Sequence, residues 1–180
     1  MGRDWQAYTL IKFIEDSNNK IQNIAEIGIW RGKTTRRILE QCHGIISQYW
    51  AIDSWIHSPS AIKKKLTNEQ WDDCYQDVCG LMCQFSKLHI LRMTSLDAAK
   101  LFPKKYFDLV FIDADHSYDA VLADIKAWEP LINDGGLLTG HDYGGKKTGV
   151  KKAIDEYFRE IEVMSIGMWL RRIEKNETTG

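Results

Sequence analysis

The sequence is poor in the features that mark several classes of protein. It has only three prolines and four cysteines, and no two cysteines form a C-x-x-C pair, which disfavours a zinc or iron–sulfur site. Lysine and arginine total 24 against 25 aspartates and glutamates, so no basic excess points to nucleic acid or to an anionic membrane surface. No apolar run approaches the length of a membrane span. We therefore expect neither a nucleic acid nor a membrane partner.

In other respects the composition is that of an ordinary globular chain. Hydrophobic residues make up 44% and charged residues 27% of the sequence, which rules out wholesale disorder. A length of 180 residues is typical of one domain, and no internal repeat or Pro/Gly linker divides it, so we expect residues 1–180 to form a single domain. The first residues lack the basic-then-apolar layout of a secretion signal, and we expect a cytoplasmic protein.

Strand and helix patterns alternate along the chain. Apolar runs typical of buried strands lie at residues 24–29, 49–53, 88–93, 107–113 and 136–140. Helical patterns lie at about 4–15, 34–42, 67–86, 95–101, 117–128 and 150–159. The segment 161–173 predicts one or two closing strands, with a hairpin about Ser165-Ile166-Gly167. The alternation predicts an α/β fold, with a mostly parallel twisted sheet, helices on both faces and a C-terminal antiparallel strand pair.

The first predicted helix has a broad apolar face. Its residues with apolar or aromatic side chains are Trp5, Tyr8, Leu10, Ile11 and Ile14. We expect these five residues to form the apolar face of an amphipathic helix.

Polar and acidic residues follow nearly every predicted strand. In an open parallel sheet, ligands bind beyond the carboxyl ends of the strands. The residues at those ends are Glu26-Ile-Gly28 with Gly32, then Asp53, Thr94-Ser95, Asp113-Ala-Asp115-His116 and His141-Asp142-Tyr143. Their concentration at one edge is the main functional signal in the sequence.

The first of these loops matches neither of two common phosphate loops. The pattern G-x-x-x-x-G-K-[ST] needs one more residue between Gly28 and Gly32, and G-x-G-x-x-G needs a glycine where Trp30 stands. Glu26 places a carboxylate beside the ligand, which suits a positively charged group better than a polyphosphate. A glycine-rich turn with Glu26 as a paired strand residue is the alternative.

Asp53 lies 25 residues after Gly28, at the predicted end of the second strand. An acidic side chain at that place can hold a ribose diol by two hydrogen bonds, although aspartate is also common in turns. Together with the first loop, Asp53 indicates a nucleoside-containing ligand without a pyrophosphate.

These motifs, in this order, resemble class I S-adenosylmethionine-dependent methyltransferases. The resemblance covers about residues 22–160 and rests on Glu26-Ile-Gly28-x-x-x-Gly32, Asp53, Phe111-Ile-Asp113-Ala-Asp115-His116-Ser-Tyr118 and Gly135-Gly136-Leu-Leu-Thr-Gly-His141-Asp142-Tyr143. A closer likeness is to small metal-dependent O-methyltransferases, including the macrocin-type sugar O-methyltransferases. The resemblance implies a Rossmann-like fold and methyl transfer from S-adenosylmethionine to a hydroxyl of a small-molecule acceptor, with a sugar as one candidate.

The resemblance also assigns residues to the cofactor. It implies that Glu26, Gly28 and Gly32 lie at the amino acid head of S-adenosylmethionine, that Asp53 holds the ribose hydroxyls and that Ser95 lies near the adenine. The other residues expected to bind the cofactor are Trp30, Ser54, Trp55 and Asp113.

Asp113 and Asp142 are expected to emerge side by side, because this fold makes their strands neighbours. Two adjacent carboxylates repel unless a cation lies between them. The resemblance implies a divalent cation, Mg²⁺ or Mn²⁺, held by Asp113, His141 and Asp142. Macrocin-type enzymes have Glu at the position of His141, and an imidazole suits Mn²⁺, Fe²⁺ or Zn²⁺ better than Mg²⁺. The need for a metal and its identity therefore stay open.

His116 follows Asp113 by three residues, and the resemblance implies that it is the general base, with Asp113 as the second catalytic residue. A helix-capping role for His116 is the alternative. Two other functions stay open: a metal-dependent hydroxylase or hydrolase that uses these aspartates and histidines, and a module that binds the cofactor without turnover. A homo-oligomer and closure of the segment 144–149 over the substrate also stay open.

Overall fold

Helices and strands alternate as the sequence predicts. The computed structural model describes residues 5–18, 20–56, 66–144, 148–164 and 167–174. The strands are β1 (Asn23–Ile27), β2 (Gln48–Asp53), β3 (Leu88–Arg92), β4 (Phe107–Ile112), β5 (Ile132–Gly140), β6 (Glu162–Val163) and β7 (Trp169–Arg172). The helices are α1 (Trp5–Asp16), α2 (Lys33–Cys42), α3 (Asn68–Met82), α4 (Ser95–Ala99), α5 (Tyr118–Trp128) and α6 (Thr148–Tyr157).

The seven strands of the described residues form one sheet in the order β3-β2-β1-β4-β5-β7-β6. Strands β1 to β5 run parallel, and β7 runs antiparallel to both β5 and β6. The predicted fold class is therefore confirmed, including the closing antiparallel pair, while Ser165 and Ile166 of the predicted hairpin lie outside the described residues. The strand order reverses between β1 and β4, which is where ligands bind in sheets of this kind.

Two apolar layers cover the faces of the sheet. On one face, α1, α2 and α3 bury side chains such as Leu10, Leu39 and Val78. On the other face, α4, α5 and α6 bury side chains such as Ile125 and Ile154. Because both faces are covered, the central strands consist of nearly continuous apolar runs. None of the helices in the described ranges is long and apolar enough to cross a lipid bilayer.

Helix α1 differs from the expected apolar face. Trp5 and Tyr8 are 45% and 54% exposed, so the predicted apolar face is wrong at these two positions. The buried residues of α1 are Ala7, Leu10, Ile11 and Ile14. Their i, i+3, i+4, i+7 spacing forms one stripe along the helix. The two aromatic residues lie off this stripe, because 100° per residue turns them away from the sheet.

Strand β5 begins earlier than predicted. Residues 132–135, which precede the predicted run 136–140, lie inside β5, where the pairing with β4 shifts register between Phe107 and Leu109. Gly135 has φ of 81°, a conformation that a glycine adopts without strain. Gly135 therefore lies at an irregularity inside the strand.

Asp124 on α5 is a buried carboxylate, only 5% exposed. Burial raises its pKa from 3.8 to about 6, the hydroxyl of Ser95 acts in the opposite sense, and the nearby charge of Asp115 raises it further. Loss of water around the ionised form therefore dominates the shift.

Replacing Asp124 is expected to stabilise the fold at neutral pH. Because the folded-state pKa is raised, the stability contribution of Asp124 is complete below pH 3.8 and is lost as the pH rises through 6. At 1.36 kcal/mol per pKa unit, the penalty above pH 6 is roughly 3 kcal/mol. Asp124→Asn should raise the Tm at pH 7.5 and change it little at pH 4. Asp119→Asn, an exposed change on the same helix, is the control, and an equal Tm increment at both pH values would contradict the assignment.

Candidate active site at the carboxyl edge of the sheet

The loops that follow β1, β4 and β5 leave the sheet side by side. The backbone N–H groups of Gly28, Asp113 and His141 each donate to a carbonyl of the neighbouring strand, at 2.9, 2.8 and 3.3 Å. These bonds continue the sheet ladder past the strand ends. The residues predicted at the ends of β1, β4 and β5 therefore border one region, at the point where the strand order reverses.

Gly28 is needed for this arrangement. Its φ is 89°, and a Cβ at this position would lie 2.4 Å from the Asp113 carbonyl oxygen and 2.7 Å from Ala114 Cα. The neighbouring atoms are backbone atoms, which cannot move aside cheaply. The loop after β1 thus touches the loop after β4 only because residue 28 has no side chain.

Asp53 ties the loop after β1 to the end of β2. Its Oδ2 accepts hydrogen bonds from the backbone N–H groups of Ile29 (2.9 Å) and Trp30 (3.0 Å), and its Oδ1 accepts one from Trp55 N–H (2.8 Å). Sequence reasoning missed this loop-holding role, because it depends on where the loop returns in space. The predicted contact of Asp53 with a ribose stays a prediction.

Trp55 also contacts the loop after β1. Its ring is buried and packs edge-on against Tyr75 at 5.0 Å between centroids. Its indole N–H donates to the carbonyl of Trp30 at 2.7 Å. Trp30 is exposed and Ser54 is half-buried, so both offer more surface to a ligand than Trp55 does.

Glu26 is a paired strand residue in this structure. Its buried carboxylate accepts hydrogen bonds from the hydroxyls of Thr35 (2.5 Å) and Tyr49 (2.6 Å). Burial, together with the Glu26 charge, raises the pKa of Tyr49 well above its ordinary value, so Tyr49 stays a donor. Gly32, with φ of 67°, ends the loop after β1 and is the N-cap residue of α2. The contact of Glu26 with a cationic ligand stays a prediction.

Asp113, His116, His141 and Asp142 form a compact cluster. His116 Nε2 lies 2.6 Å from Asp142 Oδ2 and 3.4 Å from Asp113 Oδ1. His141 Nδ1 lies 3.5 Å from Asp142 Oδ1. All four side chains are partly exposed. The predicted neighbourhood of the two aspartates is therefore present, with an imidazole between them.

Three members of this cluster suit a divalent metal ion. Asp113, His141 and Asp142 each have a ligand atom within 4.8 Å of those of the other two. Two carboxylates and one imidazole form a donor set that Mn²⁺, Fe²⁺ and Zn²⁺ accept. These residues therefore fit the predicted metal in chemistry and in proximity.

Gln6 belongs to the same site, although sequence reasoning missed it. It lies in the first turn of α1, and its Nε2 donates to Asp113 Oδ2 at 3.2 Å. The functional signal in the sequence comes from residues at the carboxyl ends of strands, and Gln6 precedes all of the strands. Its polarity beside the apolar stripe of α1 was the available signal.

Helix α6 packs closely against the turn that carries His116. A Cβ on Gly149 would lie 2.4 Å from the His116 carbonyl oxygen and 2.7 Å from Tyr118 N. Val150, Trp169 and His141 help to enclose a space of about 10 Å³ beside Asp113, the size of one water molecule. Residues 145–147 of the segment expected to close over the substrate lie outside the described residues.

Ser95 and Asp115 have local partners near the start of α4 and of α5. Ser95 Oγ accepts a hydrogen bond from Trp128 Nε1 at 2.8 Å. Asp115 Oδ1 accepts one from the backbone N–H of Ser117 at 2.8 Å, beside the first turn of α5. The residue that donates, Ser117, is the N-cap of α5, and the capping role of His116 stays an alternative. The contact of Ser95 with an adenine stays a prediction.

Residues 25–143 match the family model described as a methyltransferase domain. No curated protein sequence matches the chain significantly.

Solved structures share the fold over nearly the whole chain. The O-methyltransferase NovP is 17% identical with a TM-score of 0.70, covering 94% of this chain and 80% of its own. An O-methyltransferase from Bacillus cereus, in complex with S-adenosylhomocysteine, is 14% identical with a TM-score of 0.65, covering 97% and 83%. The mycinamycin pathway methyltransferase MycE, in complex with Mg, S-adenosylhomocysteine and mycinamycin VI, is 16% identical with a TM-score of 0.62, covering 100% and 52%.

Adding one methyl group at Gly149 is expected to disrupt the turn at His116. Alanine usually stabilises a helix relative to glycine, but here its Cβ meets backbone atoms at 2.4 and 2.7 Å. Overpacking of this kind costs about 1–3 kcal/mol, and Gly149→Ala should lower the Tm by several degrees. Gly80→Ala in α3 is the matched control, since nothing lies within 4 Å of its Cβ position, and it should raise the Tm. Equal behaviour of the two variants in thermal unfolding would refute the contact.

Proposed function

The chain belongs to the methyltransferase-domain family, and on that premise we propose that it transfers a methyl group from S-adenosylmethionine to a hydroxyl of a small molecule. The observation that carries this proposal is the cluster of Asp113, His116 and Asp142 beside the Gly28 loop. The cluster brings a proton acceptor and two carboxylates to the sheet position where ligands bind in this fold. A sugar is the first acceptor class to test, and a cytoplasmic location is part of the same proposal.

The Gly28–Gly32 loop and Asp53 are the elements that we assign to the methyl donor. S-adenosylmethionine carries a methyl group on a positively charged sulfur, a cationic amino group and a ribose diol. Backbone at Gly28 can approach a ligand closely, since no side chain intervenes. The carboxylates of Asp113 and Asp142 give this edge a negative field that favours a cation.

His116 is the group that we assign to the proton of the acceptor hydroxyl. An imidazole accepts a proton near neutral pH, and the carboxylates of Asp142 and Asp113, at 2.6 and 3.4 Å, stabilise the imidazolium that results. The acceptor oxygen then attacks the methyl group in line with the departing sulfur. The protein therefore mainly aligns the reactants, excludes water and takes up one proton.

A divalent metal at Asp113, His141 and Asp142 is the finer part of the proposal. When bound, such an ion lowers the pKa of a coordinated hydroxyl and orients it. The Mg in the MycE complex supports a metal in this fold, whereas His141 favours Mn²⁺, Fe²⁺ or Zn²⁺ at this site. Asp113, His141 and Asp142 would hold the ion, and His116 would remain for the proton.

S-adenosylhomocysteine is expected to bind the chain in calorimetric titration, while NAD and ATP do not. Asp53→Ala should weaken this binding by about 10–100-fold, because it removes an acceptor for the ligand and strands the N–H groups that hold the loop. Asp134→Ala at the opposite edge of the sheet, where it removes an exposed pair with Lys105, should not change the affinity. Preferential binding of NAD or ATP would eliminate the proposal.

His116→Ala is expected to lower kcat by about 10²–10⁴-fold while the affinity for S-adenosylhomocysteine stays within twofold. The assay measures release of S-adenosylhomocysteine with hexoses, glycosides and catechols as probe acceptors. His43→Ala, an exposed change at the end of α2, is the control. Unchanged turnover in His116→Ala would remove His116 from the mechanism.

The same assay tests the metal separately from the base. Addition of EDTA should lower turnover, and Mn²⁺ should restore it better than Mg²⁺ does. Full activity in EDTA would contradict the metal part of the proposal and leave the role of His116 standing.

A further inference from the structure

We propose that Gln6 is a positioning residue, whose side-chain amide orients the Asp113 carboxylate towards His116. This inference rests on the proposed function, in which Asp113 and His116 act together. It adds to the site a residue of α1, the first helix of the described chain.

The two oxygens of Asp113 have different partners. Gln6 Nε2 donates to Oδ2 at 3.2 Å, and Oδ1 lies 3.4 Å from His116 Nε2. Rotation about the terminal bond of an aspartate side chain is soft. A contact at each oxygen therefore fixes the plane of the carboxylate, and removal of one contact frees that plane to turn.

The donor must come from Gln6. An ionised carboxylate only accepts hydrogen bonds, so the NH₂ group of the Gln6 amide faces Asp113. A glutamate at position 6 would have almost the same shape and helix propensity, but it would place a second acceptor and a like charge against Asp113. The shape of the side chain and its donor can thus be tested separately.

Helix α1 holds Gln6 in place. Ala7, Leu10 and Ile14 are fully buried in the layer on that face of the sheet, which fixes the rotation of the helix about its axis. A side chain delivered by a packed helix is placed more accurately than one on a loop. The burial pattern thus explains why a residue 107 positions away from Asp113 reaches it.

The experiment compares Gln6→Glu and Gln6→Ala with Gln41→Glu, the same change on the exposed surface of α2. Each variant is measured for kcat, for KM of S-adenosylmethionine, for Tm and for the ring ¹⁵N chemical shifts of His116, assigned by their loss in His116→Ala. Positioning predicts that both Gln6 variants lose about 10–100-fold in kcat, the cost typical of removing a partner of this kind. KM should stay within twofold, and the His116 ring shifts should move.

Several results would overturn the inference. Gln6→Glu with the turnover and ring shifts of Gln41→Glu would show that only the shape of the side chain matters. A loss of kcat without a change at the His116 ring, or a lower Tm that accounts for the loss, would show a packing role. If the unsubstituted chain transfers no methyl group, the proposed function fails, and the His116 shifts in the ligand-free protein still decide whether Gln6 positions Asp113.

Discussion

Two carboxylates beside one imidazole form the interaction on which the rest of this site depends. Strands β4 and β5 are neighbours in the sheet, so the residues after their carboxyl ends, Asp113 and Asp142, are brought together by topology. Carboxylate oxygens of Asp113 and Asp142 lie within 4.8 Å of each other, and like charges so close repel unless a compensating group is present. His116 lies between them at 3.4 and 2.6 Å, and a bound cation would serve the same purpose. The fold thus brings two carboxylates together, and in this chain the imidazole of His116, a group that can bind a proton, lies between them.

Backbone contacts make this arrangement possible. Gly28 lets the loop after β1 touch the carbonyl of Asp113, and Gly149 lets α6 touch the carbonyl of His116. The turn from Asp113 to His116 therefore has a close contact at each end, with a glycine at a position where a Cβ would not fit. Main-chain atoms cannot move aside as a flexible side chain does. These contacts therefore restrict the backbone of the turn and, with it, the positions of Asp113 and His116.

Features that topology determines are predictable from this sequence, whereas features that depend on side-chain direction are not. Asp113, His116, His141 and Asp142 can be placed together because parallel strands end at one edge. Residue type favours a buried position for Trp5, but the helical stripe of α1 is set by other residues, among them Leu10 and Ile14. Asp53 is recognisable as a polar residue at a strand end. Its hydrogen bonds to the loop after β1 depend on how close that loop lies to the end of β2, which residue spacing does not reveal.

Helices from both faces of the sheet contact the turn from Asp113 to His116. Helices α1 and α6 lie on opposite faces of the sheet, in separate apolar layers. The first supplies a donor to the Asp113 side chain and the second supports the His116 backbone. Since each contact depends on how its helix is seated in its own layer, both cores contribute to the geometry of one short turn. Apolar packing far from the cluster is therefore part of what sets the distance between Asp113 and His116.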